Sequence, residues 1–161
     1  MDIQTRPATM ETRYAFASLL AQASAWQRAR GSEAWSRPFD DDWMLPRMER
    51  GELFLAHLDD EPVAAFRRLW EDRPFWGERE VGDSVYLHTF AVRRDRAGLG
   101  IGKAVIETVV GMGRERGRTK ARLDCFLSGT DLIAYYERNG FVSVGTASMQ
   151  GKVVALMERA I

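Results

Sequence analysis

The chain has 161 residues, 45% hydrophobic and 29% charged, with 23 Lys and Arg balanced by 23 Asp and Glu. That composition fits one folded domain over residues 1–161 with a real core; it excludes a disordered chain, and zero formal net charge gives no overall attraction to a polyanion. One cysteine rules out an intramolecular disulfide, and no Cys/His set has zinc-site spacing, so no metal is expected.

In chain order, Met1-Asp2-Ile3 opens without the basic and apolar segments of a secretion leader. No apolar run approaches the roughly 20 residues that span a bilayer, so the expectation is a cytoplasmic protein without a membrane partner. Ile3–Arg6 reads as a first strand ended by Pro7. Thr9 and Glu11 mark the start of a helix that turns Tyr14, Phe16, Leu19, Leu20 and Ala23 inward and ends near Gly31. Residues 31–46 read as a loop or short helical turns, and Leu45–Arg50 as a turn closed by Gly51. Glu52–Leu58, the charged turn Asp59-Asp60-Glu61 and Pro62–Trp70 form a β-hairpin pattern. A loop over Glu71–Asp83 then leads to Val85–Val92, whose β-branched and aromatic residues predict a buried strand.

Gly98, Gly100 and Gly102 follow at every second position, and from Ile101 the apolar residues take helical spacing to a stop at Gly117. A helix N-terminus offers unpaired N–H groups and about half a positive charge, which suits an anion. Next come a strand at Ala121–Phe126 and a helix over Thr130–Arg138, with capping-box spacing at Ser128 and Asp131 and a stop at Asn139-Gly140. Phe141–Thr146 and Val153–Met157 close the pattern as an antiparallel pair. Together these predict a mixed α/β sheet covered by helices, with a local parallel pair at the glycine turn.

Gly98-Leu99-Gly100-Ile101-Gly102-Lys103 fits neither the dinucleotide fingerprint nor the P-loop. It resembles the phosphate loop of the GNAT superfamily of acyl-CoA N-acyltransferases, R/Q-x-x-G-x-G/A, with Ala97 where Arg or Gln is usual. The segment from Leu123 to Phe141 also resembles the GNAT strand-and-helix pattern, through Tyr136, Glu137, Arg138, Gly140 and Phe141. There Gly129 replaces a frequent Asn that contacts pantetheine. The resemblance covers about residues 52–147. It implies a mostly antiparallel sheet of six or seven strands with a splayed parallel pair. It also implies acetyl-CoA as acyl donor, bound by the backbone of Phe90, Ala91 and Val92, by residues 97–103, and by Gly129 and Tyr136.

Acyl transfer from a thioester to an amine needs a neutral amine, a polarised carbonyl and a protonated leaving thiolate. A phenol is protonated at neutral pH, so Tyr136 is the candidate acid, as the resemblance also implies; the alternative is a core aromatic on one face with Leu132 and Ile133. His88 is the candidate base, set against a strand histidine held by a backbone carbonyl. Its strand resembles that of arylalkylamine N-acetyltransferases, which carry a second histidine where Tyr86 stands. His57 and Cys125 read as structural.

Trp35, Trp43, Trp70, Phe75 and Trp76, with Asp40, Asp41, Asp42, Glu71, Asp72 and Asp83, suggest an aromatic, acidic acceptor pocket, or else core cover beside solvated acids. The run Arg114, Arg116, Arg118, Lys120, Arg122 raises a nucleic-acid partner, but basic residues at a helix C-terminus are usually solvated. The leading expectation is an N-acetyltransferase acting on a small primary amine by direct attack, as a monomer or homodimer. The alternatives are a non-catalytic acyl-CoA sensor and an acetyltransferase of protein amines.

Overall fold

The computed structural model describes residues 1–161. Seven strands form one sheet in the order β1-β2-β3-β4-β5-β7-β6: β1 Ile3–Pro7, β2 Leu53–Leu58, β3 Glu61–Leu69, β4 Ser84–Val92, β5 Lys120–Phe126, β6 Val142–Met149 and β7 Lys152–Ala160. The helices are α1 Arg13–Ala29, α2 Asp41–Glu49, α3 Arg73–Trp76, α4 Ile101–Glu115 and α5 Thr130–Arg138. The expected mixed, mostly antiparallel sheet is therefore present. Its parallel pair joins β4 to β5 in the register Ser84–Lys120 to Leu87–Leu123. That register stops at Leu87, although β4 continues to Val92. No helix is long and apolar enough to cross a membrane.

The chain divides into two compact units, Met1–Arg68 with Thr89–Thr108, and Leu69–His88 with Val109–Ile161. In the first, β1, β2 and β3 are antiparallel neighbours. The β2–β3 turn places Asp59 and Asp60 at φ 51° and 63°, the left-handed pair that a two-residue hairpin requires. Helix α1 buries Phe16, Leu19 and Leu20 at helical spacing against Trp43, Met44, Leu53 and Leu55. It starts at Thr12 rather than Thr9, because the two threonines hydrogen-bond each other in a turn ahead of it. Tyr14 lies on its outer face at 64% exposure, contrary to expectation. Of the two readings of residues 31–46, the helical turn holds at the aspartates: Asp40 caps α2 by accepting the Trp43 N–H at 3.0 Å, and Asp41 and Asp42 fill the first turn, where negative charge favours the helix dipole.

The second unit packs Trp76, Tyr86, Val154 and Leu156 together, with Leu69, Phe75, Phe126, Val144 and Ala147 around them. Helix α5 keeps its expected bounds but not its expected cap: Gly129 stands at the N-cap and no side chain caps the helix. At Gly113 in α4, a Cβ would lie 2.6 Å from Val85 Cγ1 and 2.9 Å from Ile161 Cδ1, so only glycine lets the helix lie this close. At Gly111 nothing lies within 4 Å. Exposed helical Gly→Ala changes gain up to about 1 kcal/mol, whereas overpacking costs about 1–3 kcal/mol. Chemical denaturation is thus expected to show Gly111→Ala as stabilising and Gly113→Ala as destabilising; equal effects would show that the approach of α4 to Val85 is loose.

Candidate active site

In the first unit the glycine turn follows the end of β4. Gly98 and Gly100 take φ of 82° and 78°, a region that a side chain disfavours, while Gly102 lies within the first turn of α4. The helix ladder begins with the Ala104 N–H on the Gly100 carbonyl at 3.0 Å, so the N–H groups ahead of it stand outside that ladder. Ala97, Leu99 and Lys103 are exposed and Ile101 is buried. Upstream, Phe90 and Val92 are half-buried, Ala91 is buried, and Thr89 has φ 48°, an outlier for a β-branched residue. This irregular Thr89 backbone follows directly after His88, where the register of β4 with β5 has ended. A backbone of free N–H groups at a glycine turn fits a pyrophosphate without help from a side chain at Ala97.

The first unit also holds a depression of about 400 Å³ lined by Tyr14, Phe39, Asp40, Asp41, Asp42 and Met44. Asp41 is paired with Arg13 at 2.9 Å, and Asp42 is exposed. The expected tryptophans do not line it. Trp43 is buried against Phe16, with Arg47 over its outer face at 4.4 Å, and Trp35 meets Phe39 edge-on.

In the second unit His88 is held by acids instead of a backbone carbonyl. Its Nε2 lies 2.8 Å from Asp72 Oδ2, and its Nδ1 lies 3.6 Å from Asp124 Oδ2. Asp72 sits at the N-terminal end of α3 and is 5% exposed. The pairing of Leu87 with Leu123 sets Asp124 on β5 level with His88 on β4. Burial pushes the Asp124 carboxyl above the ordinary aspartate range; His88 opposes that shift and Asp72 adds to it. Asp124 Oδ2 is buried and makes no hydrogen bond. The three side chains bring one donor atom each within 4.8 Å of one another, close enough for a cation. The imidazole turns its two nitrogens to two different carboxylates, Nε2 at hydrogen-bond distance from Asp72 and Nδ1 at ion-pair distance from Asp124. Asp124 was not singled out from the sequence, although an acid at the middle of a buried strand is itself a signal.

Tyr136 is buried to 6% exposure, edge-on to Tyr135 and Phe141. Burial above all, with Cys125, Tyr135 and Asp124 adding, raises the phenol well above its ordinary value and keeps it protonated. Asp124 thus acts electrostatically on both Tyr136 and His88. At Gly129 a Cβ would stand 3.2 Å from the Phe126 carbonyl oxygen, so this turn is too tight for an asparagine without a local shift. Cys125 is buried and its thiol is pushed up to about 12, which leaves it inert as a nucleophile.

The second histidine expected of arylalkylamine enzymes is replaced by structure. Tyr86 donates a short hydrogen bond to Glu80, and Arg122 reaches the Tyr86 hydroxyl at 3.0 Å and Glu158 at 2.8 Å. Trp76 lies beneath the Arg122 guanidinium at 4.4 Å, a core position rather than a pocket wall. Burial alone would raise the Glu80 carboxyl; Tyr86, the N–H groups of Gly82 and Asp72, and Arg122 outweigh it, so the group lies below its ordinary range. The basic run disperses: Arg116 and Arg118 stack on Trp70, Lys120 pairs with Asp83, and Arg122 is buried in this network. His57 is buried on β2 beside a bulge.

Residues 20–141 match the model of the acetyltransferase (GNAT) family. The uncharacterized N-acetyltransferase YesJ of Bacillus subtilis (strain 168) is 32% identical over 147 residues, spanning 86% of this chain and 81% of that relative. A GNAT-family acetyltransferase from Listeria monocytogenes 4b F2365 superposes with a TM-score of 0.82 at 25% identity, covering 99% of this chain and 95% of that one. The PaiA N-acetyltransferase of Thermoplasma acidophilum, solved in complex with coenzyme A, shares the fold with a TM-score of 0.77 at 14% identity over the whole of both chains.

Proposed function

The chain belongs to the GNAT acetyltransferase family, and from that premise we propose that it moves the acetyl group of acetyl-CoA to a primary amine of a small molecule in the cytoplasm. The coenzyme A bound by the Thermoplasma relative supports acetyl-CoA as donor. The observation that carries the small-amine reading is the depression of about 400 Å³ lined by Tyr14, Phe39 and Asp40–Asp42, whose size and acidic, aromatic wall suit a compact cation.

Acetyl-CoA supplies a thioester carbonyl and a leaving thiolate; the residues of this chain bind it and move protons. The N–H groups along Gly98, Leu99, Gly100, Ile101, Gly102 and Lys103 hold the pyrophosphate, with Ala97, whose own N–H bonds the Arg94 carbonyl at 3.2 Å, setting the start of the turn. The backbone of Phe90, Ala91 and Val92, released from β5, pairs with the pantetheine arm and polarises the carbonyl, a kind of preorganised contact often worth a few kcal/mol in acyl transfer. Gly129 leaves the turn before α5 open to the same arm. Tyr136 gives its phenolic proton to the thiolate, and the raised pKa that keeps it protonated at neutral pH supports this role. His88 takes the proton of the attacking amine, directly or through water.

The test is thiol release from acetyl-CoA with a panel of small amines, run beside calorimetry with CoA. Release with aromatic or aliphatic amines is the expected result. CoA binding without release from any amine would make the chain a sensor. Release only with peptide amines would move the acceptor to proteins.

A further inference from the structure

Two acids flank one ring, and they do so unequally. Asp72 Oδ2 stands at full hydrogen-bond distance from Nε2, 2.8 Å, whereas Asp124 Oδ2 stands 3.6 Å from Nδ1 and has no hydrogen bond of its own. Phe75, 6.0 Å from the ring by centroids, is the aromatic neighbour. We propose that Asp72 is a positioning residue that holds His88 as the Nε2–H tautomer, leaving Nδ1 as the proton-accepting atom, and that the Asp124 carboxylate stabilises the ring once Nδ1 is protonated.

This rests on the acetyltransferase reading and adds to it the residues that set the base. A neutral imidazole carries one N–H, and the nearer carboxylate determines which nitrogen keeps it. Asp72 is in turn fixed by its place at the start of α3, where its own backbone N–H donates to Glu80 Oε2 at 3.1 Å. Nδ1 then keeps its lone pair and faces a carboxylate across a gap too wide for a direct bond. When the amine attacks, its nitrogen forms the bond to the acetyl carbon, the carbon–sulfur pair leaves on sulfur, and the amine proton passes to Nδ1. The charged ring is then stabilised between two carboxylates. At 3.6 Å Asp124 acts on the charged ring through space, as a second carboxylate beside the one that holds Nε2.

The chain has two histidines, so nitrogen-15 spectra of the imidazoles resolve the question, with His57 assigned by its loss in His57→Gln. At alkaline pH His88 is expected as the Nε2–H tautomer. Asp72→Asn and Asp124→Asn are each expected to lower the His88 titration midpoint by at least about half a pH unit, since each removes a charge that favours the protonated ring. Asp72→Asn is also expected to mix the two tautomers, and Asp72→Glu to restore part of the wild-type signal. An Nδ1–H tautomer in the wild type, or a midpoint unmoved in both variants, overturns the proposal. Should Asp72→Asn fail to fold, the wild-type tautomer and the Asp124→Asn midpoint still decide it. The acid limb of kcat/KM against pH, measured in parallel, reports on the base role of His88 itself. A limb that ignores shifts in the His88 midpoint removes that role while leaving the tautomer result standing.

Discussion

Gly100→Val is expected to abolish measurable acetyl-CoA binding. Gly100 takes φ 78°, where a β-branched side chain pays roughly 1–2 kcal/mol, so valine will pull the turn toward another conformation and turn its N–H groups away from the phosphate. The protein itself has room, because an added Cβ would meet only Met1 Cε at 3.9 Å. The cost to folding should therefore stay near that strain energy, visible as a lowered denaturation midpoint in a chain that still folds. Gly102→Ala separates conformation from access. Gly102 already has helical backbone within α4, so alanine there adds a methyl group without strain. Titration calorimetry is expected to show no detectable binding for Gly100→Val and clearly weakened binding for Gly102→Ala, with the stability of the latter unchanged or raised. Undiminished affinity in both would remove residues 98–103 from the cofactor site.

The parts of this structure that were legible in the sequence are those fixed by neighbours along the chain. The glycine turn and α4 follow from residue types that admit few other backbones, and the bounds of α5 from an apolar face closed by Asn139-Gly140. The hairpin turn at Asp59-Asp60 needed only two residues able to adopt left-handed backbone. What composition alone misjudged was direction. The five aromatics grouped as one pocket are divided between two hydrophobic clusters and a cation-capped surface, since a tryptophan's presence does not say which side of a sheet it covers. Tyr14, placed inward by a helix begun three residues too early, instead lines the acidic depression.

The environment of His88 depends on contacts that no local pattern encodes. Asp72 lies sixteen residues upstream and Asp124 thirty-six downstream, brought to the ring by a short helix and by the parallel register of β4 and β5. Tyr86 shows the same limit from the other side. The strand that its own resembles in arylalkylamine enzymes has a histidine there, whereas the hydrogen bonds to Glu80 and Arg122 give Tyr86 a structural partner set. The strand motif was readable, but whether each polar residue on it does chemistry was decided by what faces it.

Tyr136→Phe is expected to lower kcat by at least about tenfold with little change in the KM for acetyl-CoA. The substitution removes one hydroxyl and leaves the ring against Tyr135 and Phe141. With the ring kept in place, the variant is expected to fold and to stay within about 1–2 kcal/mol of the wild type. The two roles of the ring therefore separate by rate. A core aromatic would keep its rate, whereas an acid would lose it in a variant that still folds. General acid catalysis typically contributes about 10²–10⁴-fold, which sets tenfold as the least that counts. Burial fixes the pH behaviour as well. The folded phenol is held above its ordinary value, so it stays protonated across the assay range, and the deficit of the variant should be constant between about pH 7 and 9. Above about pH 10 the unfolded tyrosine ionises while the folded one resists, so the wild type loses stability as pH rises there and the phenylalanine variant loses less. Single-turnover kinetics must first show that chemistry limits the rate, because slow product release would hide a weakened acid. With that established, a folded variant that turns over at the wild-type rate would make Tyr136 a packing residue and return the thiolate proton to solvent.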